Sequence, residues 1–305
     1  MDIQQYIKYP TPESVDFENY LKTYPDLDTI CHGSTYRAQQ HWLRYGRHEG
    51  RNIKLKGINY NNIINYIKSE SGDTYIGQNY NNITLTTTLY NESDPTRIKE
   101  LCICLASNIS KSYIHSINVY YDISTGGVPD EFEQYFNNDK VNIIPFEGRP
   151  SYDVLLYKTP YKDVHIVCNG DIVITNDITK ITREQLDNTV MCLTRWEFIS
   201  DNDTSIFHAN GNINTISQDT WIHDTTLPHI HELEKVYIGT NACDCLVGNI
   251  LREHNVNTVN PCIDIKTIHV HLQNNRSNTS DTQHLSNDLF EGEWPRVKYI
   301  ALSEV

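Results

Sequence analysis

Between residues 83 and 272, short β-branched or wholly apolar runs alternate with segments of helical period. Ile83-Thr84-Leu85-Thr86-Thr87-Thr88-Leu89-Tyr90 is β-branched and alternating, which predicts a strand. Ser93 or Asp94 then caps a helix with Pro95 in its first turn, and Ile98, Leu101, Cys102 and Leu105 recur along one side of it. Strands are expected at residues 117–121, 141–146, 164–168, 191–196 and 267–272, with a short helix at 151–158. A last helix begins near Asn241. Asn241 and Asp244 have capping-box-like spacing there, and Leu246, Val247, Ile250 and Leu251 form the inner face. Residues 273–287 are polar and loop-like, and residues 297–302 predict an edge strand. Strands alternating with helices indicate an α/β domain with a mostly parallel sheet flanked by helices. Ligands on such sheets bind beyond the carboxyl ends of the strands.

The first 55 residues differ. Tyr20-Leu21 and Tyr24-Pro25-Asp26-Leu27 lead to Ala38, Trp42, Leu43 and Tyr45 on one helical face, and Gly46 is a plausible stop. The expected organisation is a small helical module at 1–55 and a linker at 56–82 that packs on the next domain. That α/β domain spans 83–276, with a C-terminal extension at 277–305.

Composition narrows the function classes. The net charge of −14 repels phosphate backbones, so nucleic acid is a poor partner, and an anionic ligand needs a bound cation or a local basic pocket. No apolar run approaches the ~20 residues of a spanning helix. The N-terminus lacks the basic-then-apolar order of a secretory signal, so a cytoplasmic location is expected. Eight cysteines in such a chain read as free buried thiols.

Three features can carry chemistry. Asn169-Gly170-Asp171 follows the strand ending at Cys168, where a carboxylate beside a glycine can approach a metal held on phosphate oxygens; the same triplet is also a common turn. In Ser217-Gln218-Asp219-Thr220-Trp221, Asp219 can act as a general base and Trp221 can stack on a sugar, or the Asp caps a helix over a core Trp. His269 and His271 share one face of a strand and can complete a metal shell, or are partly exposed strand histidines. A rival reading joins Cys243, Cys245 and Cys262 to these histidines as a structural zinc site, although the spacing does not match the usual Cys-x2-4-Cys pairs. His223, His229 and His231 read as a solvated loop. No Walker loop or Gly-x-Gly-x-x-Gly follows a strand.

The order of motifs resembles a known family. Glu100-Leu101-Cys102 with Asn108 is followed by Gly148-Arg149-Pro150-Ser151-Tyr152-Asp153, Asn169-Gly170-Asp171-Ile172 and Leu193-Thr194-Arg195-Trp196. Gln218-Asp219-Thr220-Trp221, Gly239-Thr240-Asn241-Ala242-Cys243-Asp244, Asn260-Pro261 and His269-Val270-His271 complete the series. It resembles GT-A-like glycosyltransferase domains, including ones encoded by large DNA viruses, over roughly residues 83 to 276. The segment with Tyr24-Pro25-Asp26-Leu27 and His41-Trp42-Leu43-Arg44-Tyr45-Gly46 resembles a helical module often attached to glycosyltransferases.

The resemblance implies a nucleotide-diphosphate-sugar donor, UDP-linked as first expectation, with Mn²⁺ or Mg²⁺ and a glycan or glycoprotein acceptor. It places Asp171 at the metal-binding acidic motif, with Asn169 where many such enzymes carry a first acid. Asp219 falls where an inverting enzyme keeps its base. Arg149 and Asp153 are expected to face the nucleotide, and Arg195 and Trp196 to line the donor or acceptor pocket. Two alternatives stand beside transfer: a non-catalytic nucleotide-sugar or carbohydrate-binding protein, and a zinc hydrolase.

Overall fold

The computed structural model describes residues 3–47, 51, 53–70, 82–207, 218–240, 243–272, 297 and 299–305. Three short helices open the chain: α1 (Phe17–Thr23), α2 (Pro25–Cys31) and α3 (Thr35–His41). Asp16 and Ser34 cap α1 and α3 through the backbone N–H groups of Asn19 and Arg37. Their apolar faces meet around Tyr20, Leu27, Ala38 and Trp42. Within the expected linker, Tyr60–Ser69 forms an amphipathic helix, α4, capped by Asn59. Its buried Ile63 and Ile67 pack against Cys104, Val173 and Ile268.

A seven-stranded sheet comes next. Its members are β1 (Ile83–Tyr90), β2 (Ile114–Asp122), β3 (Val141–Phe146), β4 (Val164–Cys168), β6 (Thr189–Thr194), β9 (Gln218–Asp224) and β10 (Asn257–Val259). The order is β10-β6-β9-β4-β1-β2-β3. All neighbours are parallel except β9, which runs antiparallel to both β4 and β6. Central β4 and β6 are buried along their whole length, as continuous apolar strands covered on both faces should be. Helix α5 (Pro95–Ser110), with Asp94 as its N-cap, covers one face through Ile98, Leu101, Cys102 and Leu105. Helix α7 (Cys243–Glu253) covers the other through Leu246, Val247, Ile250 and Leu251. The remaining helix, α6 (Asp130–Phe136), buries Phe132 beside α5. The α/β class and the mostly parallel, helix-flanked sheet are as expected.

A second sheet, β5-β11-β7-β8, is built from Ile172–Ile174, Thr267–His269, Trp196–Ser200 and Asp203–Ile206. The expected strand at 191–196 therefore divides: β6 ends at Thr194, and Trp196 begins β7 in the other sheet, with Arg195 at the corner. No strand was expected at residues 218–224, and the alternative of Asp219 as a helix cap is corrected. Gln218 opens β9, a buried strand that also takes His223 out of the expected loop. Among the described residues of 297–302, one bridge, Asn260 to Tyr299, stands where an edge strand was expected. The expected cap at Asn241 and the loop at 273–287 lie outside the described residues. All eight cysteines are free and buried.

Candidate active site

The turn leaving β4 is fixed by contact. A Cβ at Gly170 would lie 2.5 Å from the Thr88 carbonyl oxygen of β1 and 3.0 Å from Leu89 Cδ2, so only glycine lets the chain pass this close. Gly170→Ala is expected to cost ~1–3 kcal/mol in chemical denaturation by forcing the turn off β1. A loss under ~0.5 kcal/mol, typical of an unconstrained surface site, would show that the turn yields freely.

The tight turn delivers Asp171 into a buried ion network. Its Oδ2 accepts from Arg97 Nη2 and lies 3.0 Å from His269 Nε2. Its Oδ1 is buried and accepts no hydrogen bond among the described residues. Arg97 comes from the first turn of α5 and also binds Glu100 Oε2 at 3.1 Å. Glu100 is fully buried and accepts the Leu272 backbone N–H at 2.7 Å, tying α5 to the chain just after β11. Burial pushes the Asp171 carboxyl up. The charges of His269 and Arg97 and their hydrogen bonds outweigh it and hold the group well below the usual carboxylate range.

His269 reaches Asp171 because β11 pairs antiparallel with β5, which places His269 opposite Ile172. On its other side β11 runs parallel to β7, which sets Glu197 beside it, with Oε1 3.5 Å from His269 Nδ1. Burial and Arg195 lower the histidine, but the two carboxylates prevail and raise it. The rings of His269 and His271 lie 5.5 Å apart, and one ligand atom each from Asp171, His269 and His271 fall within 4.8 Å of one another.

These residues fit a divalent cation. The buried Oδ1 of Asp171 offers an unengaged oxygen, and around it four carboxylates (Glu100, Asp171, Glu197, Asp219) face two guanidiniums (Arg97, Arg195). Two imidazoles with one carboxylate suit Mn²⁺ better than Mg²⁺, which prefers all-oxygen shells. Glu197 on the far nitrogen of His269 matches the carboxylate that commonly orients a ligating histidine.

The reversed direction of β9 brings Asp219 to the same end of the sheet. Its backbone starts where β4 and β6 finish: Cys168 pairs with Thr220, and Thr194 with Gln218. Asp219 Oδ1 accepts from Asn169 Nδ2 at 2.7 Å, and Oδ2 from Arg195 Nη1 at 2.9 Å. Arg195 also binds Glu197 at 2.8 Å. Burial would raise Glu197, yet chiefly Arg195, with His269, brings it down to about 2. Asn169, Asp171, Arg195, Asp219 and His269 thus form one connected cluster.

A second carboxylate joins from α7. Asp244 Oδ2 accepts the Gln218 backbone N–H at 3.1 Å, and burial together with the Asp219 charge pushes it up to about 6. Its unfolded value is near 3.9, so the folded chain binds this proton more tightly. The stability it contributes is present below about pH 4, declines between about pH 4 and 6, and is lost above. Asp244→Asn should therefore gain on the order of 2 kcal/mol over the parent on going from pH 4 to pH 7.5, read from urea midpoints at both values. Parallel pH profiles would refute the assignment.

Four expected binding residues are placed otherwise. Trp221 is 1 % exposed and packs edge-on against Tyr152 at 4.8 Å, in the core under α7, so no sugar can stack on it. Trp196 is buried, with Nε1 donating to the Cys262 carbonyl at 2.8 Å, and is core rather than pocket wall. Asp153 is fully buried between Lys158 at 2.5 Å and His229 at 2.8 Å, so its charge is spent inside the protein instead of facing a nucleotide. Arg149 is exposed and donates to the Gly239 carbonyl at 2.5 Å, clamping its loop to residues 237–239. The rival joining of cysteines to these histidines is corrected: Cys243 lies 3.7 Å from Tyr152 Oη, Cys262 packs in the Trp196 cluster, and the one ligand cluster among the described residues, Asp171, His269 and His271, holds no cysteine.

Arg97, Glu197 and Asp244 were missed as site residues. Arg97 and Glu100 had a legible signal, since an i,i+3 pair of opposite charges on a helix following a capped strand end faces one way. Glu197 had none, because its partner His269 arrives on β11, a strand distant in sequence.

No protein family profile matches the chain, and no curated protein sequence matches it. Among solved structures, the chain is similar to the mannosyltransferase PcManGT from Pyrobaculum calidifontis in complex with GDP-Man and Mn²⁺. The identity is 11 % and the TM-score 0.41, over 77 % of this chain and 74 % of that one. It is also similar to 4-diphosphocytidyl-2C-methyl-D-erythritol synthase from Anaerococcus prevotii, at 14 % identity and TM-score 0.27, over 47 % of this chain and 70 % of that one. At TM-scores this low neither likeness bears on activity. No helix among the described residues is long and apolar enough to cross a membrane.

Proposed function

We propose that the chain is a glycosyltransferase that moves a sugar from a nucleotide-diphosphate donor to a hydroxyl of a glycan or glycoprotein, with inversion. The observation that carries this reading is the convergence of Asp171, His269 and His271 within 4.8 Å beyond the carboxyl end of β4, beside Asp219. Asp171, His269 and His271 would hold Mn²⁺, or less favourably Mg²⁺. Such a cation stabilises the charge developing on a diphosphate leaving group. Asp219 is the base for the acceptor hydroxyl, and Asn169 and Arg195 fix its two oxygens in place. The nucleotide is taken as UDP first, with GDP and dTDP as rivals.

The test is a thermal-shift screen against UDP, GDP and dTDP, each with Mn²⁺ and with EDTA. One nucleotide should stabilise the fold by ~2.7 kcal/mol at 100 times its dissociation constant, and the effect should vanish in EDTA. Asp219→Asn should keep that shift while turnover falls by about 10²-fold or more. A second reading, nucleotide-sugar binding without transfer, draws on Asn169: the place of a first acid is taken by an amide that hydrogen-bonds Asp219. Donor hydrolysis without acceptor decides against it.

A further inference from the structure

The chain carries a net charge of −14, yet one cleft is locally basic. It has ≈ 130 Å³ of space and runs from His269, His271 and Arg195 to the N-terminal module, which supplies Lys8, Arg47 and Arg51. Glu197 is the one carboxylate on its walls among the described residues. The module is docked rather than adjacent by accident. The Lys8 backbone N–H donates to Ser205 Oγ at 2.9 Å, that hydroxyl reaches the Tyr6 carbonyl at 3.2 Å, and the Tyr6 ring meets Trp196 at 5.8 Å.

Two of the module's cations pair with exposed carboxylates. Lys8 pairs with Asp203 at 2.8 Å, with side chains 48 % and 42 % exposed, and Arg51, itself 23 % exposed, pairs with Asp26 at 3.2 Å, whose carboxylate is 57 % exposed. Exposed pairs of this kind contribute little, so an incoming anion can replace either carboxylate. Arg47 lies over the Tyr9 ring at 5.1 Å and Arg195 over Phe207 at 4.3 Å, which puts flat apolar faces beside the charges. Cations gathered in one cleft match the anionic group of a sugar bearing a phosphate or a carboxylate.

We infer that the N-terminal module completes the acceptor site, and that the acceptor is a saccharide carrying a phosphate or a carboxylate, bound by Lys8, Arg47 and Arg51. This rests on the transferase reading. It gives the module a role in substrate choice, and it places the reaction on a glycan that another enzyme has already phosphorylated or that contains a uronic acid.

The experiment titrates the full chain with glucose 6-phosphate, glucuronate and methyl glucoside, followed by saturation-transfer NMR and calorimetry. One of the two anionic sugars should bind, with affinity falling as salt rises, and the neutral sugar should bind at least tenfold more weakly. The phosphate and uronate arms tell the two sources apart. The triple variant Lys8→Gln/Arg47→Gln/Arg51→Gln should lose tenfold or more in affinity for the anionic sugar, while its thermal shift with nucleotide and Mn²⁺ stays at the parent value. Lys8→Gln alone, at an exposed position, repeats the test if the triple variant folds poorly. Equal binding of neutral and anionic sugars, or unchanged affinity in the variants, overturns the inference. So does loss of the nucleotide shift in the variants, which would assign the cations to the donor. Absence of any nucleotide shift in the parent would instead count against the transferase reading.

Discussion

Asp171→Asn is expected to abolish Mn²⁺ binding to within the background of a metal-free titration, and to lower turnover by about 10²–10³-fold. The amide keeps the shape of the carboxylate and can still accept from Arg97 or His269. It cannot supply the negative charge at the buried Oδ1, the one oxygen of this group not already engaged among the described residues. Asparagine is the informative replacement because alanine would remove the Arg97 partner at Asp171 altogether, leaving Glu100 as its carboxylate, and confuse folding with function. The readouts are the free Mn²⁺ signal in electron paramagnetic resonance and donor turnover. Parent-like values in both would remove Asp171 from the cation site, and with it the observation on which the transferase reading depends.

Arg195→Ala should be the most damaging single change to stability, at ~3–5 kcal/mol, the cost of stripping a buried ion pair of one partner. Arg195 sits where β6 crosses into β7, with 11 % of its side chain exposed, and forks between Asp219 at 2.9 Å and Glu197 at 2.8 Å. Most of the loss should come from Asp219, because Glu197 is 36 % exposed and water can take over part of its solvation. Arg195→Lys should recover only a fraction, since one ammonium cannot reproduce the two-pronged geometry. Combining Arg195→Met with Asp219→Asn should return much of the stability while leaving turnover lost. A loss below ~1 kcal/mol for Arg195→Ala, measured by urea unfolding, would mean the pair is effectively solvated.

Much of the frame was legible from periodicity. Strands β1, β3 and β4 and helix α5 show their pattern in residues that are local in sequence, and Asp94-Pro95 marks the helix start by its own chemistry. The proximity of Asp171, His269 and His271 was partly legible: Asp171 follows a buried strand and the histidines stand two apart, although β11 ends at His269 and His271 lies just beyond it rather than on the expected strand face. What failed depended on a partner far away. β9 carries Gln218, Asp219, Thr220 and His223 among its buried residues, so its polarity hides a central strand. Trp221 looked like a sugar platform and Trp196 like a pocket wall because a tryptophan's burial is decided by what packs on it, here Tyr152 and Tyr6. Asp153 looked available because Lys158 and His229 approach only after folding.

The reversed strand also sets a constraint on how the chain assembles. β4 meets β6 only through β9, so the row β4-β1-β2-β3 and the pair β6-β10 stay separate until residues 218–224 slot between them. The β6–β9 side of that wedge pairs residues about as close in sequence as β1 with β2 (Met191 with Ile222, Leu85 with Ile117), whereas the β4–β9 side joins residues farther apart (Ile166 with Ile222), which makes it the slower of the pairings by topology. The same wedge carries Asp219 to Asn169 and Arg195. Closing the sheet and setting Asp219 beside Asn169 and Arg195 are therefore the same step, and a nascent chain that has not yet delivered residue 224 can hold neither.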